Sequence, residues 1–142
     1  PFSTAHDAED PAGFTISRNG RKIGIATDLG IATAMVKQNL KGCDLLILEA
    51  NHDPDMLMNG PYPWPLKQRI KGRTGHLSNQ ASGALLSELK HDKLQHVILA
   101  HLSETNNTPA KAMREVGPAL DGCQARLHVA TQDLCGEMLR IK

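Results

Sequence analysis

Two short apolar runs constrain the fold of this chain more than any other feature. Leu45–Leu48 and Val97–Ala100 are almost continuously apolar, which is typical of strands that are covered on both faces. Between them, the apolar spacing from about residue 79 to residue 90 predicts a helix capped by Ser78 or Asn79. Buried strands that alternate with helices predict the α/β class of fold, with the strands in one sheet.

The segments on either side extend this pattern. Phe14–Ser17 alternates in polarity, Asn19-Gly20 supplies a tight turn, and residues 22–27 return, which predicts a hairpin. The prolines in the segment 60–65 exclude a regular helix or a central strand there. Further helices are predicted at 31–40, 66–70 and 108–120, and closing strands at 125–130 and 137–141.

The predicted helices are amphipathic and can cover only one face of the sheet. The central strands, however, are apolar on both sides, and an exposed apolar face of several hundred Å² is unusual in a monomer. We therefore expect the second face to be covered by another half of a sandwich or by a second copy of the chain, as a homodimer.

Composition excludes several classes of protein. The chain has 16 basic and 15 acidic residues and 3% aromatics, so it has no strong positive field and no obvious stacking platform for nucleic acid. No apolar run approaches the ~20 residues of a membrane helix. Three cysteines without CxxC spacing indicate reduced thiols in a cytoplasmic protein.

Imidazoles and carboxylates follow the ends of the predicted strands. His6 precedes the hairpin, Asp28 follows it, Glu49 ends one apolar run and His101 follows the other; His76 lies between these runs. Alone, each has a simple explanation, such as a helix cap for Asp28 or a buried core position for His101. Together they are the ligand types of Zn²⁺, Mn²⁺ and iron sites. Three further histidines are read as structural or solvated: His91, His96 and His128.

Five short motifs carry a resemblance to a known family. They are Pro1-Phe2 with the segment 6–14, Ala26-Thr27-Asp28-Leu29-Gly30, the segment 48–53, Gly75-His76-Leu77-Ser78-Asn79, and the segment 99–107. In these motifs the chain resembles the metallo-β-lactamase superfamily, in the branch that contains tRNase Z, the phosphonate-pathway cyclic phosphodiesterases and a group of bacterial exonuclease-like hydrolases. The motifs occur in the family's order and cover most of the chain.

The resemblance implies a metal-dependent hydrolase, with a hydroxide shared by two divalent ions, Zn or Mn, that attacks a phosphodiester, possibly in nucleic acid. His6 resembles a ligand of the first metal, Asp28 the aspartate that bridges both, and His101 a ligand of the second. Hydrolysis of a thioester or lactam is an alternative within the same fold.

Four further residues acquire roles from the same resemblance. Glu49 and His76 resemble the pair that delivers a proton to the leaving oxygen, because a carboxylate raises the pKa of an adjacent imidazole and orients it. Ser103 and Asn107 precede a predicted helix and are expected to hold a phosphate oxygen.

One family signature is missing from the chain. His-x-His-x-Asp-His, which supplies most of the remaining ligands, does not occur. Residues 1–142, which open without methionine, are therefore expected to be a single partial domain, the C-terminal half of an αββα sandwich, with one mixed sheet and helices on one face. Alone, this chain is expected to bind metal weakly or not at all and to be inactive; a non-catalytic half-domain that self-associates is the alternative.

Overall fold

A single mixed sheet forms the centre of the computed structural model, which describes all 142 residues. Its six strands lie in chain order, β1 to β6. β1 to β3 are antiparallel, whereas β3 to β6 are parallel, so the predicted mixed α/β sheet is confirmed. The strands are Phe2–Ser3 (β1), Ala12–Arg18 (β2), Arg21–Ala26 (β3), Leu45–Glu49 (β4), His96–Ala100 (β5) and Arg126–Val129 (β6).

Five α-helices connect or follow these strands. Side-chain oxygens of Thr33, Asp53, Ser78 and Thr108 accept backbone N–H groups at the first turns of four helices, which satisfies donors that have no partner within the helix. A 3₁₀ turn, Gly117–Leu120, continues the last helix. The helices are Ala34–Leu40 (α1), Pro54–Asn59 (α2), Trp64–Lys71 (α3), Asn79–Leu89 (α4) and Pro109–Val116 (α5).

Two of the predicted elements need correction. The proline-rich region forms helices on either side of residues 60–63, because Pro54 and Pro65 occupy first-turn positions, where the missing N–H costs nothing. The predicted strand at 137–141 does not form, and no regular element follows β6.

The hydrophobic core lies between the sheet and the helices. Alternate strand residues, including Ala26, Leu46, Leu48, Val97 and Leu99, are buried against α1, α4 and α5. The residues between them point to the opposite face and remain partly or largely exposed, with Phe14 at 48% and Ile16 at 55%. We call this surface the open face: Phe14, Ile16, Ile23, Ile25, Ile47 and Ile98.

No helix is long and apolar enough to cross a membrane. All three cysteines are free thiols: Cys43 is buried, Cys123 is partly buried and Cys135 is exposed.

Candidate metal centre

The parallel strands bring the predicted site residues to one edge of the sheet. Asp28 follows β3, Glu49 is the last residue of β4, and His101 follows β5. Because the carboxyl ends of parallel strands lie at the same edge, these three side chains converge there. His76, in the loop before α4, joins them, and one potential ligand atom from each of the four residues lies within 4.8 Å of the others.

Two of these residues have an unusual backbone conformation. Asp28 has φ = 57° and His101 has φ = 58°, in the left-handed region that costs most non-glycine residues roughly 1–2 kcal/mol. The side-chain amide of Asn51 donates to the carbonyl of His101 at 3.0 Å and helps to hold that turn. Strain of this kind concentrates at functional sites, where the surrounding structure maintains it.

Glu49 is the hydrogen-bonding centre of the cluster. Its side chain is fully buried, and its Oε1 lies 2.7 Å from Nδ1 of both His76 and His101. Its Oε2 accepts the backbone N–H groups of Leu29 and Leu77, the residues that follow Asp28 and His76. Glu49 therefore orients both imidazoles and fixes the two turns that carry the neighbouring site residues.

These contacts shift two pKa values. Burial alone would raise the pKa of Glu49, but the hydrogen bonds from His101, His76 and the Leu29 N–H lower it to about 2. The hydrogen bond to Glu49 raises the pKa of His101 above its ordinary value, against the opposing effect of burial. Glu49 is therefore an acceptor at neutral pH, so both Nδ1 atoms that face it carry hydrogen, and both Nε2 atoms are free for other partners.

Asp28 has a different relation to the imidazoles. One of its oxygens, Oδ1, lies 3.6 Å from His6 Nε2, 3.8 Å from His76 Nδ1 and 3.7 Å from His101 Nδ1. These separations are too long for hydrogen bonds. The Asp28 side chain makes no hydrogen bond and is 44% exposed, so it is free to bind another group.

His6 is fixed by the backbone beside His76. Its Nδ1 lies 2.9 Å from the carbonyl of Gly75, which directs Nε2 towards Asp28. The predicted convergence of His6, Asp28 and His101 is thus present in the structure, together with His76 and Glu49.

The donor set fits a divalent metal. Two atoms bound about 2.1 Å from one tetrahedral ion lie about 3.4 Å apart, close to the 3.6 Å between Asp28 Oδ1 and His6 Nε2. A histidine that binds metal usually donates its other ring N–H to a carboxylate, as His101 does to Glu49. His6, Asp28 and His101 are therefore suited to hold an ion, and Glu49 to orient a ligand.

The two predicted substrate-binding residues differ in the structure. Ser103 lines the groove above the cluster, and its oxygen accepts the N–H of Asn106. Asn107 is buried, and its amide bonds to Ala50, Asn51 and Asn79 and to the Thr108 N–H. With its hydrogen-bonding capacity used inside the protein, Asn107 does not fit the predicted phosphate contact and instead joins three loops.

A groove of about 590 Å³ opens above the cluster, and one of its walls consists of residues that no sequence motif indicates. This wall consists of Tyr62 and the α3 residues Leu66, Arg69 and Ile70. The sequence feature that marks this wall is a charge pattern: no acidic residue occurs between Asp55 and Glu88.

Comparison with known proteins identifies the family. Residues 1–102 match the family described as beta-lactamase superfamily domain. The chain is 35% identical over 120 residues to exodeoxyribonuclease YycJ of Bacillus anthracis, covering 84% of this chain and 46% of that protein. It is 32% identical over 106 residues to exodeoxyribonuclease WalJ of Streptococcus pneumoniae strain D39, covering 75% and 39%. The chain thus spans less than half the length of these curated relatives.

A solved structure supports the same fold. The metallo-beta-lactamase fold protein YhfI of Bacillus subtilis superposes with a TM-score of 0.63 at 17% identity, over 90% of this chain and 44% of that one. The fold implies use of a divalent metal, in agreement with the donor set at the sheet edge. The chain therefore belongs to the family described as beta-lactamase superfamily domain, and it has the metallo-β-lactamase fold.

Proposed function

We propose that this chain carries half of the active site of a metal-dependent phosphodiesterase that acts on nucleic acid. The observation that carries the proposal is the arrangement of three imidazoles around one oxygen of Asp28, with a buried carboxylate orienting two of them. The exodeoxyribonuclease names of the two curated relatives support a nucleic-acid substrate.

His6, Asp28 and His101 would hold two divalent ions, Zn or Mn, and Asp28 would be the ligand common to both. When bound, the metal lowers the pKa of water and stabilises negative charge on a phosphate. Ser103 faces the groove with a hydroxyl hydrogen that is not required by the Asn106 contact, so it can donate to a phosphate oxygen.

His76 and Glu49 are proposed to protonate the leaving oxygen. Glu49 holds Nδ1–H of His76, and the ring lines the groove. With Nδ1–H held by Glu49, a protonated His76 would give its Nε2–H to the oxygen that leaves phosphorus. This pair also weighs against a thioester or lactam substrate, since acyl transfer has less need of such an acid.

The test is cleavage of single-stranded DNA by the longer protein that we propose contains this chain. His76→Ala should lower the turnover rate by roughly 100-fold or more. His91→Ala is the control, because its imidazole contacts the carbonyl of Cys43 and does not line the groove. An unchanged rate in His76→Ala would remove it from the mechanism, and absence of metal-dependent cleavage by the unsubstituted protein would refute the proposed function.

We further propose that residues 1–142 form the C-terminal half of an αββα sandwich. The twofold length of the relatives and the open face support this proposal. Alone, the chain offers His6 with Asp28 to one ion and Asp28 with His101 to another, and two protein ligands hold zinc poorly. Calorimetric titration with Zn²⁺ or Mn²⁺ should show weak binding, and the chain alone should hydrolyse no substrate in an activity assay. Sub-micromolar metal affinity would contradict the proposed half-site.

The open face favours a second candidate role, self-association of a non-catalytic half-domain. When no other half covers its apolar residues, we propose that a second copy does. Sedimentation of the chain should then show a dimer that Ile16→Lys dissociates. Met35→Lys is the control, because Met35 is equally exposed, at 55%, but lies on α1. A monomeric unsubstituted chain would refute the proposal.

We also propose a cytoplasmic location, which the three free thiols support.

A further inference from the structure

The wall of the groove formed by α3 is held directly against the candidate metal centre. The His76 N–H donates to the carbonyl of Ile70 at 2.8 Å, and the Asp7 N–H donates to the carbonyl of Thr74 at 2.9 Å. Arg69 Nε donates to the carboxylate of Asp7 at 3.0 Å. Because His6 and His76 are adjacent to these contacts, the position of α3 is fixed relative to the site.

Positive charge is concentrated along the segment that contains α3, and Arg69 is the basic residue of that segment that lines the groove. In a chain with 16 basic and 15 acidic residues, Lys67, Arg69, Lys71 and Arg73 occur within seven positions, and no acidic residue occurs from position 56 to position 87. Glu104 also lines the groove. An anionic strand in the groove is therefore attracted towards Arg69 and repelled by Glu104.

Not every group on this wall is available to a ligand. Lys67 Nζ donates to the carbonyls of Met58 and Gly60, where it caps the end of α2. Arg69 uses only Nε, its side chain is 66% exposed, and both terminal nitrogens are free. Tyr62 is half-buried and lines the groove with Arg69, and its hydroxyl makes no hydrogen bond. A guanidinium with two free terminal nitrogens and an aromatic ring with a free hydroxyl thus line the groove together with the histidines.

We propose that Tyr62 and Arg69 form a subsite for single-stranded nucleic acid, in which the ring stacks on a base and the guanidinium binds a backbone phosphate. The subsite rests on the proposed function, since it lies beside the site at which cleavage would occur. Base stacking on an aromatic ring tolerates any sequence, and arginine pairs with phosphate through two nitrogens. In a duplex the faces of paired bases are stacked on each other, so this ring can engage only an unpaired base.

The subsite is tested by fluorescence anisotropy in EDTA at low salt. The probes are a labelled oligothymidine of about ten nucleotides, an abasic strand of equal length and a duplex. Tyr62→Ala should weaken oligothymidine binding roughly fivefold or more and leave the abasic strand unaffected, whereas Tyr62→Phe should retain affinity because stacking needs only the ring. Tyr62→Leu is the second variant, since it keeps an apolar side chain in the wall.

Arg69→Ala should weaken binding of both single strands and reduce the salt dependence of the affinity. Its matched control is Arg18→Ala, because Arg18 is exposed at the end of β2, makes no side-chain hydrogen bond and does not line the groove. Arg18→Ala should change affinity less than twofold.

Four results would overturn the subsite. Two concern the unsubstituted chain: that it binds no single strand, or that it binds the duplex as tightly as a single strand. The third is that Tyr62→Ala and Tyr62→Leu each weaken binding of the abasic strand as much as binding of oligothymidine. The fourth is that Arg69→Ala and Arg18→Ala lose equal affinity. Because EDTA removes divalent ions, these results concern strand binding alone. Failure of metal-dependent cleavage with strand binding intact would instead count against the proposed function.

Discussion

Replacement of Glu49 by glutamine tests whether this buried carboxylate organises the site. Glutamine keeps the size of the side chain but presents one oxygen and one NH₂ group. The carboxylate accepts two imidazole N–H groups through Oε1 and two backbone N–H groups through Oε2. In either orientation the new NH₂ group faces two donors, so two charge-assisted hydrogen bonds are lost or replaced by weaker ones.

The expected loss is about 2 kcal/mol, taken as about 1 kcal/mol for each of the two weakened bonds. For a chain of this length that corresponds to a fall in Tm of roughly 5–10 °C. Glu88→Gln is the matched control, because Glu88 Oε1 also lies 2.7 Å from a donor, Lys37 Nζ, but its side chain is 55% exposed. Exposed ion pairs contribute at most about 1 kcal/mol.

Urea denaturation followed by circular dichroism measures the difference between the two variants. Nitrogen NMR of the imidazoles adds a local readout, because an NH₂ group directed at His76 and His101 favours the tautomers with hydrogen on Nε2. Equal stability losses in the Glu49 and Glu88 variants, with unchanged tautomers, would refute the role of Glu49 as the organising acceptor.

Two further substitutions examine the support of the site, both by urea denaturation. Gly75→Ala should destabilise the fold by roughly 1–3 kcal/mol, because the added Cβ would clash with the carbonyl oxygen of Ile70. Gly136→Ala is the control and should have no effect, because no atom lies within 4 Å of a Cβ at that position. Equal stability losses in the two variants would contradict the predicted clash. Asn107→Ala should lower the free energy of unfolding by about 2 kcal/mol, because it leaves buried partners on Ala50 and Asn79 without a hydrogen bond. Ser103→Ala should change stability little. A larger stability loss in Ser103→Ala than in Asn107→Ala would contradict the structural role of Asn107 and favour its predicted contact with phosphate.

Local sequence patterns predicted the elements that place the site. Asn19-Gly20 fixed the hairpin, the apolar runs fixed β4 and β5, and both patterns act over only a few residues. The order of the strands follows from helix-linked parallel strands, so Asp28, Glu49 and His101 could be expected at one edge.

What the sequence did not reveal depends on contacts between distant segments. Asn107 carries the residue type of a phosphate ligand, but three of its four partners lie 28 to 57 positions away and become visible only after folding. The prolines near Trp64 indicate a helix break by residue type alone, whereas a proline in the first turn is compatible with the start of a helix, as Pro65 is in α3. The net charge of the whole chain is close to zero, so it gives no indication of the local positive charge around α3.

The left-handed backbone at Asp28 allows stability and function to be separated. Its side chain makes no hydrogen bond, so in the metal-free chain only charge interactions with the neighbouring imidazoles offset the backbone strain. Asp28→Gly removes that strain at a backbone-entropy cost of roughly 0.5–1 kcal/mol, so stability should be unchanged or slightly higher. Asp28→Ala keeps the strain and should be about 1 kcal/mol less stable than Asp28→Gly. Urea denaturation in EDTA compares the two. If the glycine variant is the less stable, the carboxylate itself stabilises the metal-free fold, and the strained turn can no longer be attributed to ligand binding.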